Sequence, residues 1–151
     1  MMQTWRRFLG LSHFERRIVL ESAVTLISTR VGLHVTGFRR WKGLLLRLTP
    51  SMVTDPATTC FARIIARTLA ATERHLFFRA NCLERSLALW WLLRRRGIPA
   101  ELRIGGRKEN DQFEAHAWVE WNGAVLSEPG DDHLHFVAFD APAASMETQT
   151  H

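Results

Sequence analysis

The order of patterns along the chain predicts an α+β fold, helices first and a small antiparallel sheet after them. Three observations carry this. Apolar residues recur at helical spacing as far as Leu93. Gly97 and Pro99 then break the helical pattern together. Beyond them lie short alternating segments, two of which flank Asn122-Gly123, the strongest short-range hairpin signal.

Each element follows in turn. Ser12 with Glu15 three residues later forms a capping box, opening a helix expected to run to about Val31. Ile18, Val19, Ser22, Ala23, Leu26 and Ile27 recur on it at helical spacing, and Gly32 and Gly37 punctuate its end. A shorter helix is expected over Phe38 to Leu48, a loop through Pro50 to Pro56, and a third helix over Ala57 to Ala71 with Ile64, Ile65, Leu69 and Ala70 inward. Asn81 caps a fourth helix whose first turn holds Cys82. Strands are expected over Ala100 to Ile104, Phe113 to Trp121, Ala124 to Leu126 and His135 to Phe139. Gly105-Gly106-Arg107 reads as a turn, because no Gly-Lys-Ser/Thr follows as a phosphate loop would require.

Length and composition narrow the function classes. At 151 residues and 46% hydrophobic content, the chain suits one domain with a real core. That domain is expected over 1–140, with a helical part at 1–75 and a catalytic core at 76–140; 141–151 is expected to be a flexible tail. The formal charge is +5, but the arginines are spread along helices rather than gathered with aromatics on one element. Nucleic acid is therefore not the expected partner, whereas acidic peptides or surfaces suit the charge. Met1 to Arg7 lacks the features of a secretory signal, and only two cysteines occur, so a cytoplasmic setting without a disulfide is expected. Ile18 to Val35 is fairly apolar but carries Glu21, Arg30 and His34, so a buried or amphipathic helix is expected there.

Cys82 is the first residue with chemistry to offer. The amides and dipole at a helix start favour a thiolate, the nucleophilic form, and can also bind a developing oxyanion. The Asn81 side chain is a second candidate oxyanion donor. Cys60, within a helical run, reads as a small hydrophobe. His116 lies in a strand where His116, Trp118 and Glu120 share one face and Ala115, Ala117 and Val119 the other. A strand holds it rigidly enough to accept the thiol proton. A third group should orient the imidazole. With the turn at Asn122-Gly123, opposed residues sum to about 245, so His116 faces position 129 and Glu128 is its neighbour. Asp131 and Asp132 are the fallback candidates. Trp118 is a candidate substrate-binding residue because it shares the His116 face. Trp90 and Trp91 suit packing as well as a groove, and Glu114 and Glu120 read as solvated or hairpin-paired. His133 and His135 lack a third well-placed ligand, so no metal or cofactor is expected.

Two motifs together carry a resemblance. Asn81-Cys82-Leu83-Glu84-Arg85-Ser86-Leu87-Ala88-Leu89, with Leu92 to Ala100, resembles the active-site helix of lasso-peptide biosynthesis B proteins. His116-Ala117-Trp118-Val119-Glu120 before Asn122-Gly123 resembles that family's histidine motif. The likeness covers roughly residues 74 to 130. It implies a transglutaminase-like (papain-like) cysteine protease fold and an ATP-independent leader peptidase acting on a ribosomally made precursor peptide. By motif position, Cys82 is the nucleophile and His116 the base. The family's third member is usually Asp; Glu128 stands at the matching distance, one methylene longer. Fused members carry a leader-binding module with a β-sheet ahead of the protease. The first 75 residues here read as helical, so the resemblance implies the split type, whose leader-recognition protein is separate. The ATP-dependent lasso cyclase is a further candidate partner. Two rival readings use the same residues: an acyltransferase or deamidase, and a non-catalytic peptide-binding subunit.

Overall fold

A computed structural model describes residues 12–49, 58–109, 112–126 and 135–139. The expected loop over residues 50–56, the tail at 141–151, Glu128 and Asp131 to His133 lie outside the described residues. The described architecture begins at Ser12, whose hydroxyl accepts the Glu15 N–H at 3.2 Å while the Glu15 carboxylate accepts the Ser12 N–H at 2.8 Å. The box satisfies two N–H groups that a helix start leaves unpaired. It opens α1, His13–Thr36.

Helix α1 runs five residues past its expected end, straight through Gly32. The glycine is there for packing, since a Cβ on it would lie 2.2 Å from Cδ2 of Trp41. Gly37, at φ 76°, ends α1 and turns the chain into α2, Phe38–Arg47, which returns the Trp41 ring onto Gly32. Helix α3 spans Thr58–Glu73 and α4 spans Cys82–Arg94. Helix α4 is the central element: Leu87, Leu89, Leu92 and Leu93 are each no more than 1% exposed, and Leu26 of α1 and Ile65 and Leu69 of α3 pack around it. It ends as expected, with Gly97 at φ 76° and with Gly97 N–H on the Arg94 carbonyl and Ile98 N–H on that of Leu93. That pair of bonds is a Schellman turn.

The apolar positions expected on α1 divide between its two sides. Ile18, Ser22, Thr25, Leu26 and Thr29 are buried, while Ile27 turns outward with Leu20, Val24, Val31 and Val35. On α3, Ile64 is likewise exposed whereas Ile65 and Leu69 are buried. Ion pairs tie the helices to one another. Arg85 on α4 grips Glu73 of α3 with two bonds, at 2.7 and 2.9 Å, and Arg96 pairs with Glu21 of α1.

Four strands form one antiparallel sheet in the order β3-β2-β1-β4: β1 Glu101–Glu109, β2 Gln112–Trp121, β3 Ala124–Val125 and β4 Val137–Ala138. Asn122 and Gly123 take φ of 49° and 72°, the left-handed pair a two-residue hairpin requires. The register is the expected one, Glu120 opposite Val125 and Trp121 opposite Ala124. The expected turn at Gly105-Gly106-Arg107 is absent. These residues continue β1, paired with His116, Ala115 and Glu114. The glycines answer crowding over the sheet instead. A Cβ on Gly105 would sit 2.5 Å from the Val137 carbonyl oxygen, and one on Gly106 2.5 Å from Cζ of Phe113. Val119 and Trp121 of β2 turn into the helical core, completing the α+β architecture.

Candidate active site

The site is assembled where α4 begins. Cys82 is the first residue of the helix and is partly buried. Asn81 caps it: its Oδ1 accepts the Glu84 N–H at 2.8 Å, and the Glu84 carboxylate accepts the Asn81 N–H at 3.1 Å. The Arg85 N–H goes to the Asn81 carbonyl at 3.0 Å. The cap thus uses the amides of Asn81, Glu84 and Arg85. Those of Cys82 and Leu83, the next in line at the positive end of the helix dipole, are not used by it. The Oδ1 of Asn81 is committed to the cap, so Nδ2 is what that side chain can offer an oxyanion.

Glu84 is the hidden part of this arrangement. It is fully buried, and Arg30 of α1 reaches it at 3.2 and 3.4 Å. Arg30 also touches the Arg79 carbonyl at 3.5 Å and lies 4.8 Å from the Phe78 ring centroid. One guanidinium therefore holds both the start of α4 and the segment leading into it. A buried carboxylate needs such a partner, because an uncompensated charge there is costly.

One turn along α4 from Cys82, on the same side of the helix, stands Ser86. Its hydroxyl donates to the carbonyl of Ala117 at 2.7 Å, and the contact is buried. Ala117 follows His116 directly on β2. The helix turn bearing Cys82 is thereby fastened to the strand segment bearing His116.

His116 is partly buried and sits between two aromatic rings. Its ring lies 4.9 Å from that of Phe136 and stacks 6.1 Å from that of Trp118, 17° from parallel. Trp118 is fixed in turn, its Nε1 donating to Glu120 at 2.7 Å, and Arg103 on β1 donates to the same carboxylate at 3.2 Å. Glu120 is thus paired across the β1–β2 hairpin with Arg103, as expected, and anchors Trp118 as well. Glu114 also pairs across the strands, with Arg107 at 2.8 Å. Arg107 also lies 4.8 Å from the Phe136 centroid. The face alternation expected for β2 holds, and it is what lines up His116, Trp118 and Glu120.

Several expected residues lie elsewhere. Cys60 is exposed on α3, and both cysteines are free. Trp90 is buried in the core, with Trp91 packed against it. Among the described residues, no group of three or more His, Cys, Asp or Glu is placed to hold a metal. A cleft of about 300 Å³ lined by Arg17, Ile18, Glu21, Phe61, Arg95 and Arg96 lies at the opposite end of α4 from Cys82. Sequence reasoning passed over four positioning residues, Ser86, Phe136 and the Arg30–Glu84 pair. Glu84 was legible as half of a capping box, but its burial and its distant partner were not.

The described geometry can be set beside known proteins. No curated protein and no solved structure matches this sequence. A family match, to the transglutaminase-like superfamily, covers residues 23–139, from the middle of α1 to the end of the described sheet. It takes in Cys82, His116 and every contact that positions them. This chain therefore belongs to the transglutaminase-like superfamily.

Proposed function

We propose that the chain is a cysteine peptidase that removes the leader from a ribosomally made lasso precursor peptide. The observation that carries this is the Ser86–Ala117 bond, which anchors the turn of Cys82 to the strand segment of His116 within a transglutaminase-like domain. The Cys82 thiolate attacks the scissile carbonyl as His116 holds the thiol proton. The amides of Cys82 and Leu83 receive the oxyanion at the helix start. His116 gives its proton to the departing amine as the C–N bond breaks, leaving the leader as a thioester on Cys82. It then takes a proton from water, whose oxygen completes the leader's carboxylate and frees the thiol. Glu128 is the third member, orienting the imidazole, with Asp131 and Asp132 as its alternatives. Trp118, expected to bind substrate, is buried and instead supports the His116 ring on which it stacks. In this reading the protein works in the cytoplasm, with a separate leader-recognition protein that tethers the precursor and raises its effective concentration. The freed core passes to an ATP-dependent cyclase.

Mass spectrometry of a precursor peptide incubated with the chain and its leader-recognition partner tests the proposal. Wild type releases intact leader and core, and Cys82→Ala releases neither. A product acylated on an added amine, or a deamidated side chain without a backbone cut, would replace the peptidase reading by its acyltransferase or deamidase rival. Binding of the leader without any reaction, by a Cys82 that alkylates no faster than Cys60, would mark a non-catalytic subunit.

A further inference from the structure

Helix α1 buries Ile18 and Leu26 but leaves most of its larger aliphatic side chains outside. Its buried side carries Ser22, Thr25 and Thr29, while Leu20, Val24, Val31 and Val35 each expose more than half of their surface and Ile27 more than a third. These five recur at spacings of four, three, four and four residues, so they form one stripe about 22 Å long. An aliphatic stripe of that length on a soluble surface marks a place where something docks. Helix α2 adds exposed leucines and arginines of its own. Leu45 is buried, yet Leu44, Leu46 and Leu48 are exposed beside the exposed Arg39, Arg40 and Arg47.

The charge around this face selects its occupant. Residues 12–49 hold seven Arg or Lys against two Glu; Arg17 and Arg30 are answered by Glu21 and Glu84, while Arg39, Arg40 and Arg47 are exposed. A second copy of the chain, stripe to stripe, would bring these basic rims together, and like charges oppose that pairing. An anionic lipid surface accepts both features at once, the aliphatic side chains entering the acyl boundary and the arginines meeting the headgroups. Crossing the bilayer is a different matter. By length and composition alone Glu15–Thr36 would reach across. However, α1 gives Leu26 to the core, Glu21 to Arg96 and Arg30 to Glu84, so crossing would strip the protein of its first layer and carry those charges into hydrocarbon.

We infer that the outer face of α1, with the Leu- and Arg-bearing surface of α2, seats the protein on anionic membrane, lying on the surface rather than spanning it. This does not depend on the catalytic reading. The probe is flotation of the full chain with vesicles of phosphatidylglycerol and phosphatidylcholine, beside vesicles of phosphatidylcholine alone. The chain floats with the anionic vesicles, at least roughly tenfold more tightly than with neutral ones, and high salt releases it. Val24→Glu/Val31→Glu and Arg39→Glu/Arg40→Glu each weaken that binding by roughly tenfold or more. The two double variants act at separate exposed positions, so misfolding of one leaves the other decisive; circular dichroism reports on the helices. No flotation with either vesicle, or flotation that neither variant reduces, overturns the inference. So does a dimer by light scattering that Val24→Glu/Val31→Glu dissolves while vesicles are ignored.

Discussion

At the scale of single residues, the two cysteines make an internal comparison. Cys60 is exposed and Cys82 only partly so, which on access alone would make Cys60 the faster to alkylate. Cys82 sits at a helix start, on the turn that Ser86 fastens to the strand segment of His116, and the proposed mechanism makes it the nucleophile. We expect iodoacetamide to modify Cys82 first at neutral pH, read by peptide mapping; faster labelling of Cys60 would count against a nucleophilic Cys82. Ser86 invites a second test. Its removal leaves the Ala117 carbonyl buried without that donor, at a cost of about 1–3 kcal/mol. Ser86→Ala should therefore lower the urea midpoint and, because it unfastens the turn of Cys82 from β2, slow cleavage further than the stability loss explains. Unchanged turnover in a folded Ser86→Ala would show that this bond only stabilises. The placing of Cys82 at a helix start and of His116 on a strand was legible at this scale, because capping residue, thiol and helical run are contiguous and the histidine motif alternates visibly. Ser86 was not, since a serine within a helix announces nothing until its partner 31 residues away is known.

At the scale of elements, glycines separate what pattern can and cannot say. Gly37, Gly97 and Gly123 all take positive φ and sit at element boundaries, as their sequence context predicts. Gly32, Gly105 and Gly106 are placed by neighbours remote in sequence, and their role as apparent punctuation misled the reading of both α1 and β1. The distinction is measurable. Gly43, in α2, has open space where a Cβ would go, so Gly43→Ala should raise stability by about 0.5–1 kcal/mol through the unfolded state. Gly105→Ala should instead lower it, because the new Cβ meets the Val137 backbone and the Trp118 ring that stacks on His116. Thermal unfolding of the two variants should shift in opposite directions. Equal and small shifts would mean that β4 is not held against β1 as described.

At the scale of the whole molecule, charged pairs join helices that the chain separates widely. Arg30→Met leaves Glu84 buried with only its cap to answer it. Because Arg30 itself keeps contact with solvent, the expected loss is about 2 kcal/mol, below that of a fully buried pair. Arg30→Met/Glu84→Gln should recover part of it, which a double-mutant cycle would read. Glu21 reports on the other end of α4. Burial pushes its carboxyl up, but Arg17 and Arg96 together hold it below the usual value. A depressed folded value contributes stability above the unfolded one, lost as pH falls through the folded one. Glu21→Gln should therefore be less stable than wild type at pH 7, the gap closing as pH falls below about 4.3. A gap that widens in acid would reverse the sign of this linkage.

The sequence alone determined the α+β order, the caps at Ser12 and Asn81, the Asn122-Gly123 hairpin with its register, and the placing of Cys82 at a helix start and of His116 on a strand. Each depends on residues within a few positions of one another, where backbone sterics and local hydrogen bonds decide. Tertiary structure alone decided that β1 continues through Gly105 and Gly106, that Glu84 is buried against Arg30, and that Ser86 fastens α4 to β2. It also decided that the aliphatic side of α1 faces outward. A helix with apolar and small residues on every side offers no preferred face by periodicity. Which side is buried depends on what α3 and α4 present to it, and close packing there takes Ser22, Thr25 and Thr29 beside Ile18 and Leu26 and leaves Leu20, Val24, Val31 and Val35 outside.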